Sequence, residues 1–436
     1  MIKIQATAET LESKGGLILA GKIARNAGLG RIQSPNEKNA GTIITSLFGL
    51  LAEGKTDFES MAEKRGSLFY KEALGLSYVY AKETVRLYLE KIAADADSAI
   101  GQLRESSAKI IRQGPLHGLW IQGRHYLPVD IDTSPMDNSR TKKEGVSRTY
   151  QGYDGFHPIM AYIGKEGYLA DVELRPGSQH CQKGTAAFIT RLIALLRSMQ
   201  RGGRFLYRLD SGNDSFDTVK AIADSGKGHY CIIKRNKRRE SDEKWLKRAK
   251  RHGKRIEMRR GKKTWVGMLP IHPRKGGEAL KDVSLAFEVT ERKTDWKGNP
   301  FLIPEIEVNS WWTNLRCGAE KVIELYCKHG TSEQFHAELK SDMGIERMPS
   351  GKFAVNRLVL AVAMNAYNAL RVLGQKSAEK ACRKRHKRKR LFKVIRDIIC
   401  ASGKLVRHGR DLIFKMNEKD PALAVFLRLE ASLGCP

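Results

Sequence analysis

Apolar positions recur along the chain with two periods, and the changes of period divide it. From Gly41 to Arg112 they fall at helical spacing with few prolines, and Ile43, Ile44, Leu47, Leu50 and Leu51 form one stripe. The stretch FYKEALGLSYVYAKETVRLYLEKI predicts a helix, a turn at Gly75 and a second helix from Glu83 to Ile92. That pair is either a helix-turn-helix offering Lys82, Thr84, Arg86 and Lys91 to DNA or an ordinary helical pair with a solvated charged face. From Leu127 the period falls toward two, and LPVDIDTS, GFHPIMAYI, YLADVEL and RFLYRLD each predict a short strand. ITRLIALLRSMQ predicts a helix between the third and fourth, and HYCIIK a fifth strand. Further on, VSLAFEVTER and FLIPEIEVNSWWTNL alternate like antiparallel strands, and helical spacing returns from Glu320 through Gly374. A basic amphipathic helix is expected around LFKVIRDII.

Composition adds a partner to this picture. Lys and Arg number 78 against 48 Asp and Glu, a net charge of +30, while 41% hydrophobic content supplies real cores. A folded chain this basic takes a polyanion, because phosphate contacts release counterions. The excess is concentrated: residues 234–263 carry sixteen Lys and Arg against four acids, and residues 376–390 nine against one. Such runs repel themselves unless phosphate lies nearby, and Lys234, Arg235, Arg238 and Arg239 open the first of them. No apolar run is long enough to span a bilayer, and the N-terminus lacks the layout of a secretory signal. Seven scattered cysteines without a C-x-x-C pair argue for a reducing cytoplasm and against a zinc knuckle. His157, and His180 with Cys181, have no partner at ligand spacing and read as structural.

Carboxylates at three places stand out. Asp130 and Asp132 in VDIDTS share one strand face, costly between apolar neighbours unless water or cations meet them, though a solvated surface strand explains them equally. Asp210 ends the strand RFLYRLD before a glycine turn, where open α/β sheets place ligands, and where a helix-capping Asp is also common. In YCKHGTSEQFHAELKSD, Tyr326, Glu333 and Lys340 are spaced by seven and seven, which predicts one helix face with His329 close by and Gly330 weakening the helix. An acid from a central strand, one from a neighbouring strand end and one from a helix form the hard-oxygen clamp that two-Mg²⁺ phosphodiester chemistry requires, with Mn²⁺ able to substitute. The separations are 210 − 132 = 78 and 333 − 210 = 123, and the second demands an insertion.

On these residues the chain resembles the bacterial insertion-sequence DDE transposases, in the group with a β-strand insertion and a Tyr-x2-Arg-x3-Glu-x6-Lys signature. Tyr326, His329, Glu333 and Lys340 occupy the signature positions, Asp132-Thr133-Ser134 the first Asp motif and Asp210-Ser211-Gly212 the second. TNL after the paired tryptophans, MPSGKFAVNRLVLAVAMNAYNAL and SGKLVRHGR match flanking segments, so the resemblance covers roughly residues 115–415. One position departs: His329 stands where the group has arginine, and a histidine near neutral pH need not carry charge to a phosphate. The resemblance implies an α/β fold, with a ribonuclease-H-like core of mixed sheet and flanking helices. To that core it adds a β-rich insertion, a helical N-terminal domain and a basic helical C-terminal tail. The expected segments are 1–115, 116–234, 235–316, 317–375 and 376–436. It implies Asp132, Asp210 and Glu333 as metal ligands and Tyr326, His329 and Lys340 as contacts to DNA, while Asp130 is a further ligand candidate from its shared strand face with Asp132. It also implies Trp311 or Trp312 stacking on a displaced base, against a competing reading of plain core packing. The expected activity is cleavage at terminal inverted repeats and strand transfer into target DNA by a homodimer in a bacterial cytoplasm. A nuclease or resolvase on the same core, or an inactive DNA-binding relative, are the competing classes.

Overall fold

The computed structural model describes residues 2, 4–259, 261–378 and 388–434. Most of the basic run at 376–390 therefore lies outside the described residues. The helical stripe of the first hundred residues becomes a bundle. A short strand β1 (Thr10–Glu12) precedes α1 (Leu17–Asn26), α2 (Ala40–Ala52), α3 (Leu68–Leu74), α4 (Lys82–Ala93) and α5 (Ala96–Ile111). Helix α2 is buried nearly all round, as an apolar helix must be, and so lies at the bundle's centre. Ser67 caps α3 by accepting the Tyr70 N–H, and Gly75 ends it in the left-handed conformation, so the expected turn is in place. The cations expected on the following helix are engaged inside the protein: Lys82 and Arg86 both pair with Glu59, and Lys91 with Glu37.

Each short strand expected after Leu127 is present. They are β2 (Arg124–Thr133), β3 (Ile159–Ile163), β4 (Tyr168–Glu173), β5 (Phe205–Leu209) and β6 (His229–Lys234). Helices α6 (Thr185–Met199) and α7 (Phe216–Ala223) lie between the later ones. In space the order is β4-β3-β2-β5-β6. β3 runs antiparallel to both β2 and β4, while β2, β5 and β6 are parallel. β3 and β5 are buried along their whole length, the mark of strands covered on both faces.

The basic segment opens with a helix that the strand pattern did not announce, α8 (Asp242–His252). It continues as β7 (Lys254–Arg259), β8 (Lys262–Leu269), β9 (Ser284–Thr294) and β10 (Pro300–Thr313). These strands do not form a sheet of their own. Trp311, Trp312 and Thr313 of β10 pair antiparallel with Lys234, Ile233 and Ile232 of β6. One ten-stranded sheet results, ordered β7-β8-β9-β10-β6-β5-β2-β3-β4, with the strand Leu119–Ile121 alongside β2.

Beyond it come α9 (Ala319–Cys327), a 3₁₀ turn (Lys328–Thr331), α10 (Ser332–Ala337) and a π turn (Glu338–Asp342). The buried helix α11 (Phe353–Ala378) packs against α2 and α5 on one side and β4 on the other. The C-terminal region, expected as helical, is corrected here. After the short helix α12 (Leu391–Val394) and a π turn it forms a hairpin of β11 (Gly403–His408) and β12 (Asp411–Lys415), then α13 (Pro421–Ser432). β1 pairs with β11, tying the N-terminal segment to the C-terminal hairpin. Among the described residues no helix is long and apolar enough to cross a membrane.

Candidate active site

The sheet register brings the first two carboxylates together. In the parallel ladder of β2 and β5, Asp130 lies opposite Arg208 and Ile131 opposite Leu209. The offset, 208 − 130 = 78, equals 210 − 132 = 78, so the next rung on the same face sets Asp210 beside Asp132. Strand β5 ends at Leu209, which leaves Asp210 at its C-terminal end, with a 3₁₀ turn at Ser211–Asn213. Its Oδ1 accepts from Asn213 Nδ2 at 2.7 Å, and a Cβ at Gly212 would stand 3.1 Å from Oδ2, so a side chain there would press on the carboxylate. Asp132 Oδ1 accepts the Thr133 N–H at 2.7 Å, and Oδ2 lies 3.5 Å from His336 Nε2. The other nitrogen of His336 is 3.2 Å from the Tyr162 hydroxyl.

The third carboxylate arrives on a broken helix. The spacing of seven and seven predicted one continuous α-helix, but the segment passes from α9 through the 3₁₀ turn containing Gly330 into α10, then into the π turn. Phe335 anchors α10 on the sheet: a Cβ at Gly167 would sit 2.3 Å from its ring, and that ring lies 5.1 Å from Tyr162. Glu333, on the outer side, is exposed.

Asp132, Asp210 and Glu333 line one open cavity of about 510 Å³, together with Lys234, Trp311, Tyr326 and His329. A second cavity of about 410 Å³ shares Asp132 and Glu333 and is lined on its other side by Tyr150, Gln151 and Lys340. Burial, and then the charge of Asp132, push the Asp210 carboxyl above its ordinary value. Negative charge is thus in excess where the two strands end, and a cation would relieve it. Among the described residues no three acids, histidines or cysteines converge closely enough to encage an ion. The donor chemistry nevertheless fits Mg²⁺, which prefers oxygen and fills its shell with water and substrate phosphate around one or two carboxylates.

Asp130, the further metal candidate, is committed elsewhere. It is only 2% exposed; Arg208 Nε donates to its Oδ1 at 2.6 Å and Nη2 to its Oδ2 at 2.7 Å, and His329 Nδ1 lies 2.9 Å from Oδ1. Burial raises the Asp130 carboxyl, but Arg208 and His329 outweigh it and hold it below the ordinary range. His329 is lowered by burial and lifted more by Asp130, ending above its ordinary value. Its imidazole therefore turns inward rather than toward a phosphate. Lys340 donates to the Pro135 carbonyl at 2.6 Å, just beyond Asp132.

The two tryptophans are corrected. Trp311 is 3% and Trp312 7% exposed, so neither offers an open face to a base. Trp312 Nε1 donates to Asp214 at 3.0 Å, and Trp311 packs 5.6 Å from the Tyr326 ring. Other aromatics are open to solvent, among them Trp296, 81% exposed between β9 and β10 with Lys297 over its ring, and Tyr150, 69% exposed on the second cavity. Of the four basic residues singled out, Arg235 pairs with Glu240 and lies over the Trp312 ring, and Lys234 lines the main cavity, whereas Arg238 and Arg239 are exposed. His157 keeps the structural role expected of it, with Nδ1 on the Gln179 carbonyl. Sequence reasoning missed Arg208, His336 and Tyr150. Only Arg208 carried a signal, as a lone cation inside the apolar run FLYRL.

No curated protein sequence matches the chain. Among solved structures, a piggyBac transposase synaptic complex with hairpin DNA is similar at a TM-score of 0.41 and 10% identity, over 87% of this chain and 76% of that one. The family model for the transposase DDE domain, group 1, matches residues 116–434. That match spans well over half of the sequence and includes all three carboxylates, so the chain belongs to the DDE transposase family.

Proposed function

We propose that Asp132, Asp210 and Glu333 are the catalytic carboxylates of this DNA transposase and would hold two Mg²⁺ ions, replaceable by Mn²⁺. The observation that carries this is their meeting: two strand ends and a helix, remote in sequence, line one open cavity beside Tyr326. The strand order supports a ribonuclease-H-like core. Numbered along the chain, the five strands lie 3-2-1-4-5 with only the second antiparallel to the rest. Strands β7 to β10 are then the insertion, and boundaries near 115, 234, 316 and 375 separate the segments.

Held by these carboxylates, the cations would supply Lewis-acid polarisation of the scissile phosphate and ease loss of the proton from the attacking oxygen. The protein's own residues do the rest. Asp132 and Glu333, both at the junction of the two cavities, would flank the scissile phosphate. Lys340, held at the Pro135 carbonyl, places an ammonium beside the strand that leaves the site. Water attacks at the element end and frees a 3′-hydroxyl, which then attacks a target phosphate with one phosphodiester exchanged for another. Joining two ends requires two active sites, hence a homodimer on paired terminal repeats.

The test is Mg²⁺-dependent cleavage of duplexes carrying the ends of the element that encodes the chain. Asp132→Ala, Asp210→Ala and Glu333→Ala should each lower the rate by more than about 100-fold, since even outer-shell partners of a metal cost 10–100-fold. Cleavage by Glu333→Ala at the wild-type rate would refute the assignment. A strand-transfer product with a 3′-hydroxyl donor separates a transposase from an enzyme that only cuts.

A further inference from the structure

We propose that Asp130, Arg208 and His329 form a buried positioning triad that sets the spacing of the three catalytic carboxylates. This rests on the assignment of Asp132, Asp210 and Glu333 as the metal-holding groups. Asp130 and Arg208 each lie one step before a carboxylate along their strand, and His329 lies in the turn that leads into the helix of Glu333. Asp130 is two residues before Asp132 on β2, and Arg208 two before Asp210 on β5, which is one rung of a strand face. His329 is four residues before Glu333, about one helical turn.

Asp130 touches both of the others directly. Arg208 spans Asp130 with two donors at 2.6 and 2.7 Å, and His329 reaches Asp130 at 2.9 Å. The remaining arm of Arg208, Nη1, donates to the Leu325 carbonyl at 2.8 Å, near the end of α9. One guanidinium thus holds β2, its own strand β5 and the helix that leads to Glu333. All three side chains are buried, so a slip of one element against another would strand a charge without its partner, a costly outcome. The register is fixed beneath the site rather than at it, where three carboxylates repel. A planar guanidinium suits this task because its fork meets a carboxylate in a single orientation, which a lysine cannot do. The histidine at position 329 acquires a role in the same way: it faces inward to Asp130 and ties the 3₁₀ turn below Glu333.

The experiment measures Mn²⁺ binding to the purified full chain by titration calorimetry, without DNA. Beside it runs the metal dependence of end cleavage, with thermal melting as the check on folding. The first variants are His329→Ala and His329→Gln, because His329 sits at the cavity wall in a short turn and the glutamine keeps a donor for Asp130. His329→Ala should bind Mn²⁺ at least 10-fold more weakly and need at least 10-fold more metal for half-maximal cleavage. His329→Gln should stay within about 3-fold of wild type. Arg208→Lys, which keeps the charge and loses the fork, should weaken Mn²⁺ binding by a similar factor. Folded His329→Ala protein with wild-type Mn²⁺ affinity and metal dependence overturns the proposal, whatever Arg208→Lys does. Glu333→Ala in the same titration separates the two levels. If it binds Mn²⁺ and cleaves like wild type, the catalytic assignment fails; if it loses both while His329→Ala loses neither, only the triad fails.

Discussion

At the scale of single residues, the environment decides which ionisable groups hold charge, and His229 shows it away from the active site. Tyr207 Oη lies 2.9 Å from its Nδ1, and Arg197 Nε donates to its Nε2 at 3.2 Å. A guanidinium only donates, so Nε2 must keep its lone pair and the ring must be neutral. Burial, then the charge of Arg197, push the imidazole down to about 4. The unfolded chain takes up this proton near pH 6.5 and the folded chain only near 4, so stability is full above about 6.5 and is lost as pH falls between the two. Urea denaturation at pH 7 and pH 4.5 should show His229→Gln losing less stability between those values than wild type, by on the order of 2 kcal/mol. Equal losses would mean that His229 is not neutral in the fold. Residues of this kind mark the limit of what the sequence reveals. The motifs around Asp132, Asp210 and Glu333 are local and could be read directly, and the shared face of Asp130 and Asp132 followed from strand geometry. The partner of Asp130 did not, because Arg208 is 78 residues away and only the sheet register brings them side by side. Nor does an alternating strand say which of its faces is covered, so core packing of Trp311 and Trp312, which the structure shows for both, stood only as one of two readings.

At the scale of elements, periodicity located the strands because burial on a sheet imposes it, and it failed where few residues carry the signal. Helix α8 buries only Trp245, Leu246 and Ala249 among eight charged or histidine positions, so its period was hidden in the basic run. The hairpin of β11 and β12 carries its apolar residues in short runs, Leu405-Val406 and Leu412-Ile413-Phe414, so no alternation set it apart from the helical segments beside it. The Glu333 segment is α-helical only in part: its 3₁₀ and π turns follow tertiary anchors, and sequence spacing cannot see these. One such anchor is testable on α11. Asn368 Oδ1 accepts the Leu169 N–H at 2.8 Å, and its Nδ2 donates to the Leu169 carbonyl at 2.8 Å and to Ser107 Oγ at 2.8 Å. Leu169 lies at the register shift between β3 and β4, so its backbone groups depend on this amide. Asn368→Ala buries two backbone groups without partners and should cost about 2–4 kcal/mol in denaturant unfolding. A loss below about 1 kcal/mol would show that the strand re-pairs without it.

At the scale of the whole molecule, the sheet joins two chemistries. Its β4-β3-β2-β5-β6 half carries Asp132 and Asp210, and β6 hands over directly to β10 and the basic strands beyond. A continuous ladder transmits position rigidly, so cations on β7 to β10 keep a fixed place relative to the carboxylates, and on the proposed function DNA held by those strands would be presented to Asp132 and Asp210. Formal charge overstates that grip, because part of it is neutralised in place: Arg235 is paired with Glu240 and Lys237 with Asp242, whereas Arg238 and Arg239 are exposed. Each phosphate contact contributes about 0.9 to the slope of log affinity against log salt, independent of sequence. Binding of end duplexes measured from 50 to 300 mM salt should therefore give a steep linear plot, its slope shallower by about 2 in the Arg238→Ala, Arg239→Ala double variant. Arg235→Ala should leave the slope unchanged, although removing the cation over Trp312 lowers the melting temperature. The reverse pattern, with Arg235 setting the slope and the exposed pair doing nothing, would mean that the ion pair with Glu240 opens on binding. The charged surface that meets DNA would then lie along β6 and the main cavity rather than on the loop beyond it.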